Sequence, residues 1–213
     1  NRVRMWEGGT TVDDTYVPDH LFARLFLPRT LPESEHPLCR EDWARVKAIC
    51  ALPWHGRLLD VGSGDGALAG MVCGLNALVT HIDCYEPDPV QTDVWNPFVY
   101  GWMIDWHVGM FKPKEGVAYT GALCCEVLEH VSPSDGLQIL SNIKQACAPG
   151  AMICVTVPFS GGSRATYPGH IQKFTGDSLR AMLINAGLGE PRLSFIRPNP
   201  DKHATWIMAV CHV

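Results

Sequence analysis

Short apolar runs bounded by glycine or proline alternate along the chain with segments of helical periodicity. A continuous apolar run is typical of a strand buried on both faces, and apolar residues three and four positions apart are typical of an amphipathic helix. The predicted strands are Leu58–Val61, Leu78–Glu86, a strand with its exit loop within Trp102–Phe111, a run beginning at Gly121, Met152–Val157, Leu193–Ile196 and Trp206–Cys211. The predicted helices between them are Glu41–Ile49, Ala67–Cys73, a segment beginning at Ser132 and a segment from Thr175 to Leu183.

This alternation predicts an α/β fold, with a doubly wound, mostly parallel seven-stranded sheet and helices on both faces. The last two strands are predicted to form a hairpin. Residues 1–36 differ from the rest, since they are rich in turn formers and carry little periodicity. We interpret them as an N-terminal arm or lid, with simple packing as the alternative, and residues 37–213 as the main domain. The chain begins at Asn1, so we expect it to be processed or cut from something longer.

Composition narrows the class of protein. The 213 residues are 46% hydrophobic with a mean hydropathy of +0.02, enough for a sizeable core, and no run spans a bilayer or forms a signal peptide. The net charge of −5 disfavours non-specific binding to nucleic acid. Nine cysteines without a C-x-x-C pair predict buried thiols in a reducing compartment, hence a cytoplasmic protein without a membrane partner.

A glycine-rich turn follows the first predicted strand. The order strand, Gly62-Ser-Gly64-Asp-Gly66, helix is the first unit of a nucleotide-binding sheet, because glycine lets the backbone turn sharply and approach a ligand. The spacing Gly62-x-Gly64-x-x-Ala67 also satisfies the dinucleotide fingerprint. A nicotinamide-dependent Rossmann oxidoreductase (NAD(P)) is therefore an alternative.

A carboxylate ends the second predicted strand about twenty residues later, where ribose hydroxyls are bound in such sheets. Asp83 and Glu86 are the two candidates. We favour Glu86, because Pro87 cannot extend a central strand and the strand must stop there.

Several short motifs continue from this loop in a fixed order. They are Asp60-Val-Gly62-Ser-Gly64-Asp-Gly66, Glu86-Pro-Asp, Cys125-Glu126-Val-Leu-Glu129-His130-Val, Ala148-Pro-Gly150, His170-x-x-Lys-Phe174-Thr and Ala186-Gly187-Leu188. Together they resemble the class I S-adenosylmethionine-dependent methyltransferases over about residues 41–190. The resemblance implies a Rossmann-like methyltransferase fold and S-adenosyl-L-methionine as cofactor. No Tyr/Lys or His acid/base pair suited to hydride transfer follows the fourth strand, and the intact glycines argue against a non-catalytic methyltransferase-like module.

The resemblance also implies a role for each motif residue. The glycine loop would pack against the methionine part of the cofactor, Asp60 would accept from its amino group and Glu86 from the ribose. The loop after the third strand would face the adenine, although Met110 stands where the family often has an acid. The predicted cofactor-binding residues are Asp60, Gly62, Ser63, Gly64, Asp65, Gly66, Glu86, Pro87, Gly109, Met110, Phe111, Cys125 and Glu126.

Transfer of a methyl group to a hydroxyl requires positioning of the acceptor and removal of its proton. The candidate catalytic residues are Glu126, His130 and His170. If the segment stays extended after the fourth strand, Glu126 and His130 share a side, and if it is helical, Glu126, Glu129 and His130 share one face. With His170 these residues could hold Mg²⁺ or Mn²⁺. This set resembles the metal-assisted ubiquinone-biosynthesis O-methyltransferases and the 2′-O-methyltransferases of small RNAs. Without a metal, His130 or His170 would act as a plain base.

The acceptor is predicted to be a hydroxyl of a small molecule rather than an RNA ribose 2′-OH, because the net charge is negative. Basic residues in the C-terminal part keep the RNA alternative open. The candidates for acceptor contact are Trp6, Tyr16, Arg164 and Tyr167. We expect no obligate protein partner.

Overall fold

A computed structural model of the protein describes residues 40–88, 103–197 and 203–213, with side chains from residue 44 onward except at positions 163 and 164. The elements are α1 (Arg40–Cys50), β1 (Gly56–Val61), α2 (Ala67–Leu75), β2 (Val79–Glu86), β3 (Ile104–Val108), β4 (Tyr119–Cys125), α3 (Pro133–Ala146), β5 (Cys147–Pro158), α4 (Gly176–Asn185), β6 (Arg192–Ile196) and β7 (Trp206–His212). Two 3₁₀ turns cover Leu128–His130 and Ser163–Thr166.

The seven strands form one sheet in the order β3-β2-β1-β4-β5-β7-β6. The pairs β1–β2, β2–β3, β1–β4 and β4–β5 are parallel, whereas β7 runs antiparallel to both β5 and β6. The predicted seven-stranded, mostly parallel sheet and its antiparallel last pair are confirmed.

Hydrophobic clusters cover both faces of the sheet. Leu58 packs with residues of α1 and α2, and the next residue, Leu59, packs with residues of α3 and α4. Successive side chains of a strand point to opposite faces, so a continuous apolar run serves both clusters. All eight cysteines in the described part of the chain are free and buried. Among the described residues, none of the helices has the length and apolarity needed to cross a membrane.

Two helices begin at the residues that the sequence indicates. Ser132 accepts a hydrogen bond from the Asp135 amide and precedes a proline at the start of α3. Thr175 accepts from the Ser178 amide, and the Ser178 hydroxyl accepts in return from the Thr175 amide at the start of α4. These side chains satisfy amides that the first helical turn leaves unpaired.

Other predictions differ from the structure or lie outside it. The third strand lies at Ile104–Val108, inside the stretch predicted to hold it and its exit loop, whereas the turn predicted at Ala148–Ala151 lies within β5, where the pairing register with β4 shifts. Gly150 has a φ of 81° there, so the strand absorbs the turn as an irregularity. The predicted N-terminal arm, with Trp6 and Tyr16, lies outside the described residues, as does the Arg164 side chain.

Candidate active site

Two adjoining cavities lie at the carboxyl ends of the parallel strands, where the strand order reverses between β1 and β4. Open α/β sheets bind ligands at this position. The larger cavity has a volume of about 740 Å³ and the smaller about 230 Å³, and they share Gly62, Gly64 and Glu126. Of the predicted cofactor residues, Glu86, Pro87, Gly109, Met110 and Phe111 line the larger cavity, and Asp60, Ser63, Asp65 and Cys125 line the smaller.

Glu86 closes β2 and faces the glycine loop. Its carboxylate accepts from the amide of Gly64 at 2.8 Å and from the amide of Asp88 at 3.0 Å, and only 7% of the residue is exposed. Asp83, the competing acid, instead receives two hydrogen bonds from Arg57, and the guanidinium and His107 lower its pKa against the opposing effect of burial. Of the two acids, Glu86 lines the larger cavity and Asp83 lines neither of the two.

The three glycines of the loop are needed for different structural reasons. A Cβ at Gly62 would lie 2.4 Å from a methyl carbon of Val127, and one at Gly66 would lie 2.0 Å from the Trp106 ring. A Cβ at Gly64 would meet no atom within 4 Å. Gly62 and Gly66 are therefore required by packing within the protein, and Gly64 is the position where the backbone is open to a ligand.

Asp60 lies at the end of β1 and is 2% exposed. Among the described residues, nothing donates a hydrogen bond to its Oδ2 atom. Burial, followed by the charge of Glu86, raises the pKa of Asp60 to about 7, against a smaller lowering by Arg45. A buried carboxylate without a donor fits a cofactor that brings an ammonium group.

The predicted adenine loop forms one wall of the larger cavity. Phe111 is buried with its ring edge against Tyr85, and Met110 is 57% exposed. Asp135, Gln138 and Asn142 of α3 also line this cavity. No sequence pattern marks these three side chains as cavity residues, because a helix start signal does not show which face of the helix a cavity will meet.

Glu126 follows β4 and has a left-handed backbone, with a φ of 59°. Its Oε1 accepts from the Thr156 hydroxyl at 3.1 Å and its Oε2 from the Trp206 indole at 3.0 Å. A left-handed conformation is rare for a residue other than glycine and is typical of functional positions.

Glu129, His130 and His170 form a cluster beside the larger cavity, with one potential ligand atom of each within 4.8 Å of the others. Three of the four residues predicted to hold a metal are thus brought together, and Glu126 is not in this group. The 3₁₀ turn and the left-handed backbone at Glu126 direct its carboxylate towards β5 and β7 instead.

Within this cluster, Glu129 is 1% exposed, and no other described residue donates a hydrogen bond to either carboxylate oxygen. Burial, followed by the charge of Glu126, raises the pKa of Glu129 to about 9. The Nδ1 atom of His130 lies 3.1 Å from the Gly169 carbonyl oxygen. Because a carbonyl oxygen only accepts, Nδ1 carries the proton and Nε2 is left as the basic atom.

Residue His170 reaches the cluster because its loop is tied to the 3₁₀ turn. The amides of Ile171 and Gln172 donate to the Glu129 carbonyl oxygen at 2.8 and 3.1 Å. The Gln172 side chain donates to the carbonyl oxygens of Leu128 and Val131. Gln172 was not among the predicted site residues, since a glutamine that hydrogen-bonds distant backbone leaves no local pattern in the sequence.

The sequence matches a family model described as a methyltransferase domain over residues 39–189. A search of curated proteins gives no significant match.

Solved structures with the same fold include the S-adenosylmethionine-dependent methyltransferase SibL in its apo form, at 16% identity and a TM-score of 0.63 over 80% of this chain and 55% of that one. A similar enzyme from Mesorhizobium loti has 12% identity and a TM-score of 0.65 over 81% and 97%. Human N-acetylserotonin methyltransferase in complex with SAM has 17% identity and a TM-score of 0.60 over 79% and 50%. The chain thus spans about half the length of two of these proteins.

Proposed function

The chain belongs to the class I S-adenosylmethionine-dependent methyltransferases, and from this premise we propose that it methylates a hydroxyl oxygen of a small-molecule acceptor. Membership of this family excludes the nicotinamide-dependent oxidoreductase and the non-catalytic binding module that the sequence left as alternatives. The observation that carries the proposal is the Glu129 carboxylate, buried without a donor from another described residue beside two imidazoles at the cleft. Such a group needs either a cation or a proton as its partner.

Activation of the hydroxyl is assigned to this cluster. The cofactor supplies a methyl group on a sulfonium, which is already a good leaving group, so the protein mainly positions the acceptor and removes its proton. The Nε2 atom of His130 is the basic atom at the cavity, held in orientation through Nδ1 by the Gly169 carbonyl oxygen. Glu129 lies beside this ring, and because burial raises its pKa to about 9, its carboxyl is neutral in the resting cluster and is drawn towards the charged form only when a cation or an imidazolium forms next to it.

A divalent cation is the second way in which the same residues could activate a hydroxyl. Glu129, His130 and His170 would hold Mg²⁺ or Mn²⁺, and the mixture of carboxylate and imidazole ligands is compatible with Mn²⁺. A bound cation of this kind orients and acidifies a hydroxyl. In that case His130 is a ligand rather than a base, so the two forms of the proposal differ in their response to chelators.

A small molecule is favoured over RNA by the charges around the cleft. Among the described residues, the larger cavity is lined by Glu86, Asp88, Glu126 and Asp135, and by Lys112 as the one cation. Acidic walls repel a phosphate backbone. Tyr167 and Ile171, which flank His170, are 58% and 66% exposed and offer an apolar edge to an acceptor. Human N-acetylserotonin methyltransferase, which shares the fold, is named for a small-molecule acceptor.

The test is a methyl-transfer assay with a panel of phenols, catechols and hydroxylated heterocycles, and an RNA oligonucleotide with free 2′-hydroxyls as comparison. Each acceptor is assayed with Mg²⁺, with Mn²⁺ and with a chelator. We expect turnover with a hydroxyl compound and its loss in both His130→Ala and Glu129→Gln. Calorimetric titration of S-adenosylhomocysteine should show cofactor affinity within a few-fold of the wild type for both variants.

The matched control is His212→Ala. His212 is an exposed histidine at the end of β7, and it pairs with Met152 in the amino-terminal half of β5, away from the cleft at the carboxyl ends of the parallel strands. It should retain full turnover. Full activity in His130→Ala would remove the cluster from the mechanism, and methylation of the oligonucleotide alone would replace the small-molecule acceptor with RNA.

A further inference from the structure

A second cluster of potential metal ligands lies on the sheet, apart from the cleft. His81 and Asp83 of β2 and Asp105 of β3 each contribute one potential ligand atom, and these three atoms lie within 4.8 Å of one another. Asp83 is directly opposite Asp105 in the register of the two parallel strands, and His81 precedes Asp83 by two residues. All three side chains therefore stand on one face of the sheet, and none of them lines either cavity.

The separations within this cluster are those of ligands around a single ion. The Nε2 atom of His81 lies 3.1 Å from Oδ2 of Asp105 and 3.9 Å from Oδ1 of Asp83. Nitrogen and oxygen ligands lie about 2.0–2.2 Å from Zn²⁺, so two ligands of one ion are roughly 3–4 Å apart. The His81 Nε2 atom is buried, yet it makes no hydrogen bond with any other described residue. It is thus aimed beside the nearby carboxylate oxygens rather than at either of them.

Asp83 is held in orientation by two neighbours. Arg57 donates to both carboxylate oxygens, from Nε to Oδ2 at 2.6 Å and from Nη2 to Oδ1 at 3.0 Å, and the His107 Nε2 atom lies 3.1 Å from Oδ1. Groups outside the ligand shell orient a metal ligand in this way. They also occupy lone pairs and place a guanidinium nearby, so Asp83 is the weakest of the three ligands. His81 and Asp105 supply most of the affinity.

The cluster has an open side. Residues 109–118 connect β3 to β4 without a helix, so this connection does not cover the face that carries the three ligands. The side chain of Asp105 is 59% exposed, whereas those of His81 and Asp83 are 23% and 2% exposed. An ion can therefore enter from the Asp105 side and keep water at its remaining positions.

We infer that His81, Asp83 and Asp105 form a site for Zn²⁺ that links the edge strand β3 to β2. A mixture of imidazole and carboxylate ligands favours Zn²⁺ over Mg²⁺ and Ca²⁺, which take oxygen ligands. The exit of β3 leads into residues 109–111, which line the larger cavity, so the ion stabilises the strand that carries this wall. The site lies outside the cleft and does not rest on the proposed acceptor.

The first test is calorimetric titration of Zn²⁺ into protein treated with a chelator and dialysed, with Mg²⁺ as the comparison ion. We expect Zn²⁺ to bind and Mg²⁺ to give no comparable heat. His81→Ala and Asp105→Asn should each weaken Zn²⁺ binding at least about tenfold, since even changes outside a ligand shell have effects of that size. His55→Ala, which removes an exposed histidine outside the cluster, is the matched control and should bind as the wild type does.

Two further measurements separate this site from other metal-binding groups. His130→Ala disrupts the cluster at the cleft, and its zinc-loaded form should give an X-ray absorption spectrum with nitrogen and oxygen ligands and no sulfur. Hydrogen exchange should show that Zn²⁺ slows the amides of residues 104–109 in the wild type and not in Asp105→Asn, because an ion that binds only the paired strands opposes their opening. Asparagine has the shape of the exposed aspartate, so this variant should fold normally.

Three results would overturn the inference. They are equal Zn²⁺ affinity in the wild type, His81→Ala and Asp105→Asn, an absence of Zn²⁺ binding in the wild type, and sulfur ligands in the absorption spectrum. Without Zn²⁺ binding, the cluster would be an ion-pair network in which an imidazolium lies between two carboxylates. Failure to methylate any hydroxyl acceptor, with Zn²⁺ binding as expected, would refute the proposed function and leave this site standing.

Discussion

The Trp206 indole nitrogen donates a 3.0 Å hydrogen bond to the Glu126 carboxylate, across 80 residues of chain. Trp206 is fully buried in β7, and Glu126 has a left-handed backbone at the exit of β4. This bond joins the antiparallel end of the sheet to the cleft, and it directs Glu126 away from the Glu129, His130 and His170 cluster.

The coupling between these two side chains is measurable. A double-mutant cycle of Trp206→Phe and Glu126→Ala should give a coupling of about 1–3 kcal/mol in the free energy of unfolding, because the hydrogen bond is to a charged group. The control is a cycle of Trp54→Phe and Glu126→Ala. Trp54 donates to the Ile49 carbonyl oxygen instead, so its coupling with Glu126 should stay below about 0.5 kcal/mol. Equal coupling in the two cycles would contradict the assignment.

Glu86 is predicted to be the ribose-binding acid. Glu86→Ala should weaken binding of S-adenosylhomocysteine by about 1–3 kcal/mol, the cost of leaving hydroxyl partners unmade. Glu115→Ala, which changes an exposed acid, serves as the control and should leave the affinity unchanged. Calorimetric titration of both variants measures the effect, and unaltered affinity in Glu86→Ala would show that the ribose acid is misassigned.

Asp60 predicts a pH dependence of cofactor binding. Its pKa is about 7 in the absence of cofactor because of burial, so much of the population is protonated below pH 7. An ammonium group favours the carboxylate form, so affinity for S-adenosylhomocysteine should rise as the pH increases from about 6 to about 8, with release of a proton. Asp60→Asn should remove most of this rise, and a wild-type affinity that falls over this interval would contradict the prediction.

The same pKa has a consequence for the stability of the cofactor-free protein. A raised carboxyl pKa means that the folded state binds more protons than the unfolded state between about pH 4 and pH 7, so this group makes stability fall as the pH rises through that interval. Denaturant unfolding of the wild type and of Asp60→Asn over this range measures the difference. Asp60→Asn should show the smaller decrease.

Two glycines of the loop should respond differently to the same substitution. Gly64→Ala places a methyl group in open space and incurs only the cost of a left-handed alanine, about 1–2 kcal/mol in stability, but it should reduce cofactor affinity strongly. Gly62→Ala adds a clash with Val127 and should cost about 2–5 kcal/mol in stability. Combination with Val127→Ala should recover part of that loss, and thermal unfolding with calorimetry separates the two effects.

Local patterns were sufficient to predict much of the fold. Apolar runs and capping residues predicted the strands and the starts of α3 and α4, and the proline after Glu86 selected the acid that lines the cleft. These features depend on residues close together in the chain, so sequence alone indicates them.

The features that were missed depend on distant partners. Arg45 looks like a surface charge of an amphipathic helix, and it is buried because Trp206 from the last strand lies beneath it. Glu126 belongs to the same short motif as His130, yet hydrogen bonds from Thr156 and Trp206 hold its carboxylate outside the cluster that contains His130. Gly66 matched a ligand-binding loop, whereas its lack of a side chain makes room for Trp106.

The position of the antiparallel strand β7 determines when the last part of the sheet can form during synthesis. It lies between β5 and β6, and both of these strands precede it in the chain. The hydrogen bonds that β5 and β6 make with β7 therefore cannot form until residues 206–212 have been synthesised. Trp206 brings to the cleft both the donor for Glu126 and the surface beneath Arg45. A nascent chain that has emerged only as far as β6 would thus carry the whole glycine loop and still lack the hydrogen-bond donor for Glu126, so ligand binding should begin late in synthesis, when β7 docks.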